Sequence, residues 1–402
     1  MPLPEDTLML SDNTSPEQGR LNRLLGFLKQ DPNNQTLLLD AMSLAIEVGD
    51  AASTQQLIEH IDTHAIDDPH VYAQATHLLL QIGQYAAAGD FGDKAIQGGI
   101  THPAVFFNTA FGHFYSGDYV DAAKLLAHLS NEADCPAAAL ILHARALHHQ
   151  ELTEEAEPLV SRAQQQEPDN VEARGLLALL QYENDNNPAA LLTAHETLAE
   201  DPNQLDALIA CASANFEQGN LEASRKAWLH TVQAHPDCGR AWSGLAQLEF
   251  NELEFVQAEE HLKTAVQLMP DHIGTWHLLA WIYILRNDSI AAREALDKSY
   301  ALDRNFGETH GGLAIVDVMD GLDDQALLGI RRALKLNPNG LSAHYAEMLL
   351  LQKAGKPAEA TQLVNQVLDR AAPDGPESGR TLVEAWLRKH QNKRPDAAPG
   401  QH

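Results

Sequence analysis

Basic residues are scarce in this chain. Only 27 Lys and Arg stand against 56 Asp and Glu, a formal net charge of −29 over 402 residues. Such a surface repels nucleic-acid phosphates and anionic lipid, so neither is expected as a partner; basic or apolar protein partners are favoured. Cysteine is also rare. Cys135, Cys211 and Cys238 are odd in number and none belongs to a CxxC pair, which argues against a disulfide framework or thiolate zinc site and fits a reducing compartment. Long hydrophobic runs are missing as well. The greasiest stretch, IGTWHLLAWIYIL at 273–285, is flanked by His272 and Arg286 and is too short to span a bilayer. The opening MPLPEDTLMLSDNTSPEQ has neither the basic n-region nor the apolar core of a secretory signal. The expectation is a soluble cytoplasmic protein.

Catalytic signatures are equally absent. The chain contains no GxxxxGK[ST], no GxSxG, no HExxH and no GxGxxG following a strand. Its 20 histidines show no ligand spacing. His143, His148 and His149 cluster, but His143 falls on the face turned to a partner helix and the other two fall opposite. No catalytic, cofactor-binding or metal-ligating residue is assigned, and no enzyme activity is expected. Gly311 and Gly312 sit inside a predicted helix, where they are expected to allow close packing.

What the chain does have is a period. Pro168, Pro202, Pro236 and Pro270 stand 34 residues apart, and Pro338 lies two periods further on, with Arg304 on the intervening beat. Two amphipathic segments fill each period. In 239–272, Trp242, Leu245, Ala246 and Leu248 form one helical stripe; Phe255, Ala258, Leu262, Ala265 and Val266 form a second, ended near Pro270. Small residues keep the same period. One series runs Ala110, Ala144, Ala178, Ala212, Ala246, Ala280 and Ala314. The other runs Ala88, Ala122, Ala156, Ala190, Ser224, Ala258, Ala292, Ala326 and Ala360. Larger side chains there would push paired helices apart.

In this pattern the chain resembles tetratricopeptide repeat (TPR) proteins, whose signature is W-x2-L-G-x2-Y, then A-x3-F, then P. Trp276, Leu279, Ala280 and Tyr283, followed by Ala292 and Leu296, match it best. Trp276 is expected to be a buried scaffold residue. The resemblance implies an all-α fold, a TPR α-solenoid: a right-handed superhelix of about ten helix-turn-helix repeats. The layout expected is a flexible 1–15, a solenoid over 16–374 (a leading helix at 16–32, then repeats over 35–374), a capping helix at 377–390 and a disordered tail at 391–402. A local irregularity is expected near 97–103, after Gly98 and Gly99.

The resemblance also implies that the second, fifth, sixth, ninth, twelfth and thirteenth positions of each first helix face a concave groove. Candidate partner-binding residues are Phe107, Phe111, Phe114, Tyr115, Tyr182, Phe216, Phe250, His277, Trp281 and Tyr345. The twelfth-position ladder, from Leu80 through Phe114, Tyr182, Phe216 and Phe250 to Gln352, can equally be packing between repeats. The lysines with which one TPR subfamily clamps chaperone C-termini are missing from the fifth positions. The function expected is a non-catalytic scaffold or adaptor that holds a protein or peptide segment with apolar anchors and basic flanks. Alternatives are a chaperone dedicated to one apolar partner or a regulatory subunit of an enzyme complex. No cofactor and no membrane insertion are expected, and homo-oligomerisation stays open.

Overall fold

In a computed structural model, the structure describes residues 15–369 together with 380, 381 and 384. The expected capping helix and tail, apart from those three residues, lie outside the described residues. Twenty-one helices and no strand are found among the described residues. They divide into two compact units, Met1–Thr193 and Ala194–His402.

The first unit contains α1 (Pro16–Leu28), α2 (Gln35–Val48), α3 (Ala51–Thr63), α4 (Pro69–Gln81), α5 (Tyr85–Gln97), α6 (Pro103–Tyr115), α7 (Tyr119–Ser130), α8 (Ala137–His148), α9 (Thr153–Gln166) and α10 (Val171–Glu183). The unit boundary falls within α11 (Asn187–Glu200). The second unit continues with α12 (Leu205–Glu217), α13 (Leu221–Ala234), α14 (Gly239–Asn251), α15 (Phe255–Leu268), α16 (Ile273–Leu285), α17 (Ser289–Leu302), α18 (Gly307–Met319), α19 (Asp323–Leu336), α20 (Leu341–Lys353) and α21 (Pro357–Leu368). From α1 to α10, and again from α12 to α21, each helix packs on its sequence neighbour. Alternate helices such as α2 and α4 or α18 and α20 also touch. Within each unit this is the helix-pair stacking of an α-solenoid.

Local chemistry sets the starts. Asn34, Asp50, Asp68, Asn170 and Asp288 each accept a backbone N–H from the first turn of the following helix, which satisfies orphan donors at about 1 kcal/mol per cap. Both small-residue series form the seams between helices. Ala110, Ala144, Ala178, Ala212, Ala246 and Ala314 have no exposed surface, and neither do Ala88, Ala122, Ala156, Ala190, Ala258, Ala292 and Ala326. Gly112 shows how tight a seam is: a Cβ there would meet the Gly89 nitrogen at 2.8 Å and the Tyr85 carbonyl at 2.9 Å. At Gly311 it would meet the Ala343 nitrogen at 2.6 Å, so the paired glycines serve close packing. The chain between α5 and α6 is the expected irregular stretch, with Gly99 at φ 96°.

Two features of the repeat are visible only in three dimensions. First, the turn joining the helices of a pair requires a left-handed residue, at Gly49, Gly83, Gly117, Glu151, Asp185, Gly219, Leu253, Asn287, Gly321 and Gly355. These positions are 34 apart, yet four of the ten are not glycine. Second, the signature tryptophan is a hydrogen-bond donor at the preceding turn. Trp242 and Trp276 donate Nε1–H to the carbonyls of Pro236 and Pro270, each at 2.8 Å. His310 and His344, in the same register, use Nε2 toward the carbonyls of Arg304 and Pro338 at 2.9 and 3.2 Å. A carbonyl can only accept, so Nε2 carries the proton in both. The Arg304 beat thus keeps the function of the turn without its proline. Trp276 is half-buried rather than sealed in the core, because its indole must reach back to the turn.

Candidate functional site

In the first unit, α6 places Phe107, Phe111 and Tyr115 four residues apart, hence on one face of the helix. Ring centroids are 6.2 Å apart for Phe107–Phe111 and 4.4 Å for Phe111–Tyr115. Tyr85, the first residue of α5, stands 6.3 Å from Phe111 and 5.1 Å from Tyr115. The strip continues through Phe114, which meets Tyr115 at 5.2 Å, Tyr119 at 5.4 Å and His149 at 5.6 Å. These are offset and edge contacts, the arrangement aromatic quadrupoles favour. Tyr115 is 52% exposed, whereas Phe107, Phe111 and Phe114 are half-buried against the core.

At the Phe107 end, the strip opens into a cleft of about 540 Å³. Ala104, Leu129, Pro136, Ala138 and Ala139 give it apolar walls, and Glu132 and Asp134 border it. At the other end, Glu183 holds His148, the neighbour of His149, at 2.8 Å; Glu172, at the opposite end of α10, holds Arg145 at 3.2 Å. Burial pushes the His149 imidazole below its ordinary range, with the positive ends of His148 and Arg145 adding to the effect. The strip is therefore apolar and aromatic, with carboxylates at both ends.

The second unit has its own apolar recess. Trp281 of α16 faces Tyr345 of α20 at 5.7 Å. The two rings line a cleft of about 300 Å³ with Leu341, Met348, Leu363 and Val364.

The remaining sequence candidates have other surroundings. His277 is buried; its Nε2 lies 2.9 Å from Thr309 Oγ1, and Phe306 meets its ring edge-on at 5.3 Å. It belongs to the joint between α16 and α18 rather than to an open wall, and α18 covers it. Phe250 leans onto Phe255, the first residue of the next helix, at 5.5 Å. Phe114 does the same with Tyr119. A twelfth-position side chain lies at the C-terminal end of its helix, where the second helix of the same pair begins, and Phe114 and Phe250 pack at that turn. Tyr182 and Phe216 are half-buried, Ile284 and Val318 buried, and Gln352 exposed. Tyr85, Tyr119 and His149 complete the strip, and none of them is a groove candidate from the sequence. A signal for the two tyrosines exists: Tyr85, Tyr119 and Phe255 share one register, the first residue of a second helix.

Among the described residues, no three His, Cys, Asp or Glu side chains come together to hold a metal ion. No helix among them is long and apolar enough to cross a membrane.

The family described as Tetratricopeptide repeat matches residues 141–204, 176–234 and 209–273. The Protein CTR9 homolog of Arabidopsis thaliana is 28% identical over 141 residues, which is 34% of this chain. The match spans only 12% of that protein's length. Among solved structures, the human IFIT1 dimer with m7Gppp-AAAA superposes with a TM-score of 0.52 at 13% identity, over 89% of this chain and 95% of that one. A monomeric IFIT1 mutant with Gppp-AAAA gives 0.55 at 12% identity, over 88% and 95%. At such identity the likeness is one of fold.

Proposed function

The chain is a tetratricopeptide repeat protein, and on that premise we propose that it is a non-catalytic scaffold whose first unit holds an extended or helical segment of a protein partner along α6. The observation that carries this reading is the Phe107–Phe111–Tyr115 strip. Aromatic surface left open next to an apolar cleft is the usual mark of an interaction site. The partner segment has apolar side chains for the strip and cleft, and basic residues for Glu132 and Asp134 at one end and Glu183 at the other. Those carboxylates would repel phosphates, which favours a protein segment over the kind of ligand bound in the IFIT1 structures. Trp281 and Tyr345 form a second, separate contact point of the same apolar character.

The test replaces Phe107, Phe111 and Tyr115 with alanine and measures partner capture from the native cell, with circular dichroism confirming the fold. Loss of the partner is expected, and undiminished capture by a folded variant would refute the assigned wall. A scaffold should recover several partners at variable ratio. A single partner at one-to-one stoichiometry would instead favour a dedicated chaperone.

A further inference from the structure

The outer face of α19 has an order of residue types that no packing role requires. The helix reads DDQALLGIRRALKL. Ala326, Ile330 and Ala333 are buried against the unit. Turned to solvent are Asp324, then Leu327 and Leu328 at 44% and 66% exposure, then Arg331, Arg332 and Lys335. Three of the chain's 27 basic residues therefore fall within five positions of a protein carrying −29. Asp324, Arg331 and Lys335 have no ion-pair partner among the described residues; Arg332 reaches only the Arg304 carbonyl, at 3.5 Å. Asp323, beside Asp324, is held by Lys353 at 2.6 Å, and Asp320 by Arg293 at 3.2 Å.

Along the helix the order is acidic, apolar, basic. Reversed, it is its own complement. With a two-fold axis between Leu327 and Leu328, an antiparallel second copy sets leucine on leucine and Asp324 opposite Arg331. We infer that α19 is the isologous contact of a homodimer, the occupant of its outer face being the α19 of a second copy. The charge pattern selects this occupant. An acidic segment would meet Asp324, and a basic one would meet Arg331, Arg332 and Lys335. Only a partner with both signs in reversed order satisfies both ends, and the chain supplies one. A single helix face is smaller than a standard interface, so the dimer is a micromolar, salt-sensitive one.

Sedimentation velocity of the full chain, from about 1 to about 200 µM at low salt, tests this, since a small interface should populate its dimer across that range. The wild-type chain should shift from monomer to dimer, and high salt should shift it back. Asp324→Arg and Arg331→Asp should each weaken association at least about tenfold, because each puts like charges at both symmetry-related pairs. Mixing the two variants should restore the dimer, since at both pairs an arginine of one chain then faces an aspartate of the other. Leu328→Ser, at an exposed position, should also weaken it, while Tyr115→Ser on the inner wall should not. Thermal melts confirm that every variant is folded. A wild-type chain monomeric throughout, association indifferent to both charge reversals, or a mixture that fails to associate would each overturn the proposal. So would a monomer whose α19 face binds an acidic peptide or anionic vesicles.

Discussion

Tyr119 and His149 lie ring on ring, with centroids 4.1 Å apart and planes 4° from parallel. The first residue of α7 thus covers a histidine just past the end of α8, and that cover is part of the burial that holds the imidazole below its ordinary range. Replacing Tyr119 with alanine admits water to the ring, so the titration of His149 should move up toward about 6.5, the ordinary histidine value. Imidazole C–H chemical shifts followed against pH measure this directly. A titration unmoved by the substitution would show that Tyr119 does not shield the ring.

His143 is the more deeply held imidazole. Its Nδ1 lies 2.9 Å from Ser130 Oγ, and burial pushes its pKa down to about 4. The folded pKa lies below the unfolded one, so the neutral form's contribution is complete above the unfolded value. It is lost as pH falls through the folded one. Between pH 6.5 and about 4 the unfolded chain takes up a proton that the folded chain refuses, which costs up to a few kcal/mol of stability. Urea unfolding at successive pH values should show this decline, and His143→Gln should flatten it relative to wild type. Equal slopes in both proteins would remove His143 as the cause.

The left-handed turn gives a prediction on stability. Glu151 is exposed, with φ 61°, where its register mates at Gly117 and Gly219 are glycine. A left-handed non-glycine residue costs roughly 1–2 kcal/mol, partly offset by the greater chain entropy that glycine loses on folding. Glu151→Gly should therefore stabilise by roughly 0.5–1 kcal/mol, and Gly219→Ala should destabilise by about 1 kcal/mol. Paired urea midpoints settle both signs. Leu253 is a poorer choice for the same change, because its side chain also packs on the core around Phe255.

The signature tryptophan makes a further contrast. Trp276→Phe keeps an aromatic ring but removes the bond to the Pro270 carbonyl, a loss of about 1 kcal/mol. Trp276→His should retain that bond, as His310 and His344 do in the same register. Differential scanning calorimetry on the two variants, together with hydrogen-exchange protection at the start of α16, separates the bond from ring volume. Identical protection in both would mean that packing alone holds the turn.

The period of 34 and the two alanine seams can be read in the sequence because both follow from helix geometry: a residue that must be small recurs wherever the same two surfaces meet. The left-handed turn shares the period but is not legible, since Glu151, Asp185, Leu253 and Asn287 break the glycine register. Nor does spacing say which way a residue at a helix end leans. Phe114 and Phe250 therefore look like candidates for an open wall, although each leans onto the helix that follows. His277 shows the same limit: its position in the first helix is right for the wall, but Thr309 and Phe306 on the next repeat enclose it. Phe107, Phe111 and Tyr115 stand out because they follow one another at four-residue spacing on a single helix, which needs no knowledge of neighbours.

The sharpest test of the proposed wall on α6 is a photo-cross-linking residue, p-benzoylphenylalanine, placed at Tyr115 in the native cell, with a second at exposed Leu229 of α13 as a control. A discrete cross-linked partner is expected from position 115, none from 229, and loss of the product when Phe107 and Phe111 are also changed to alanine. The same product from both positions, or one that survives those changes, would contradict the assignment of the wall.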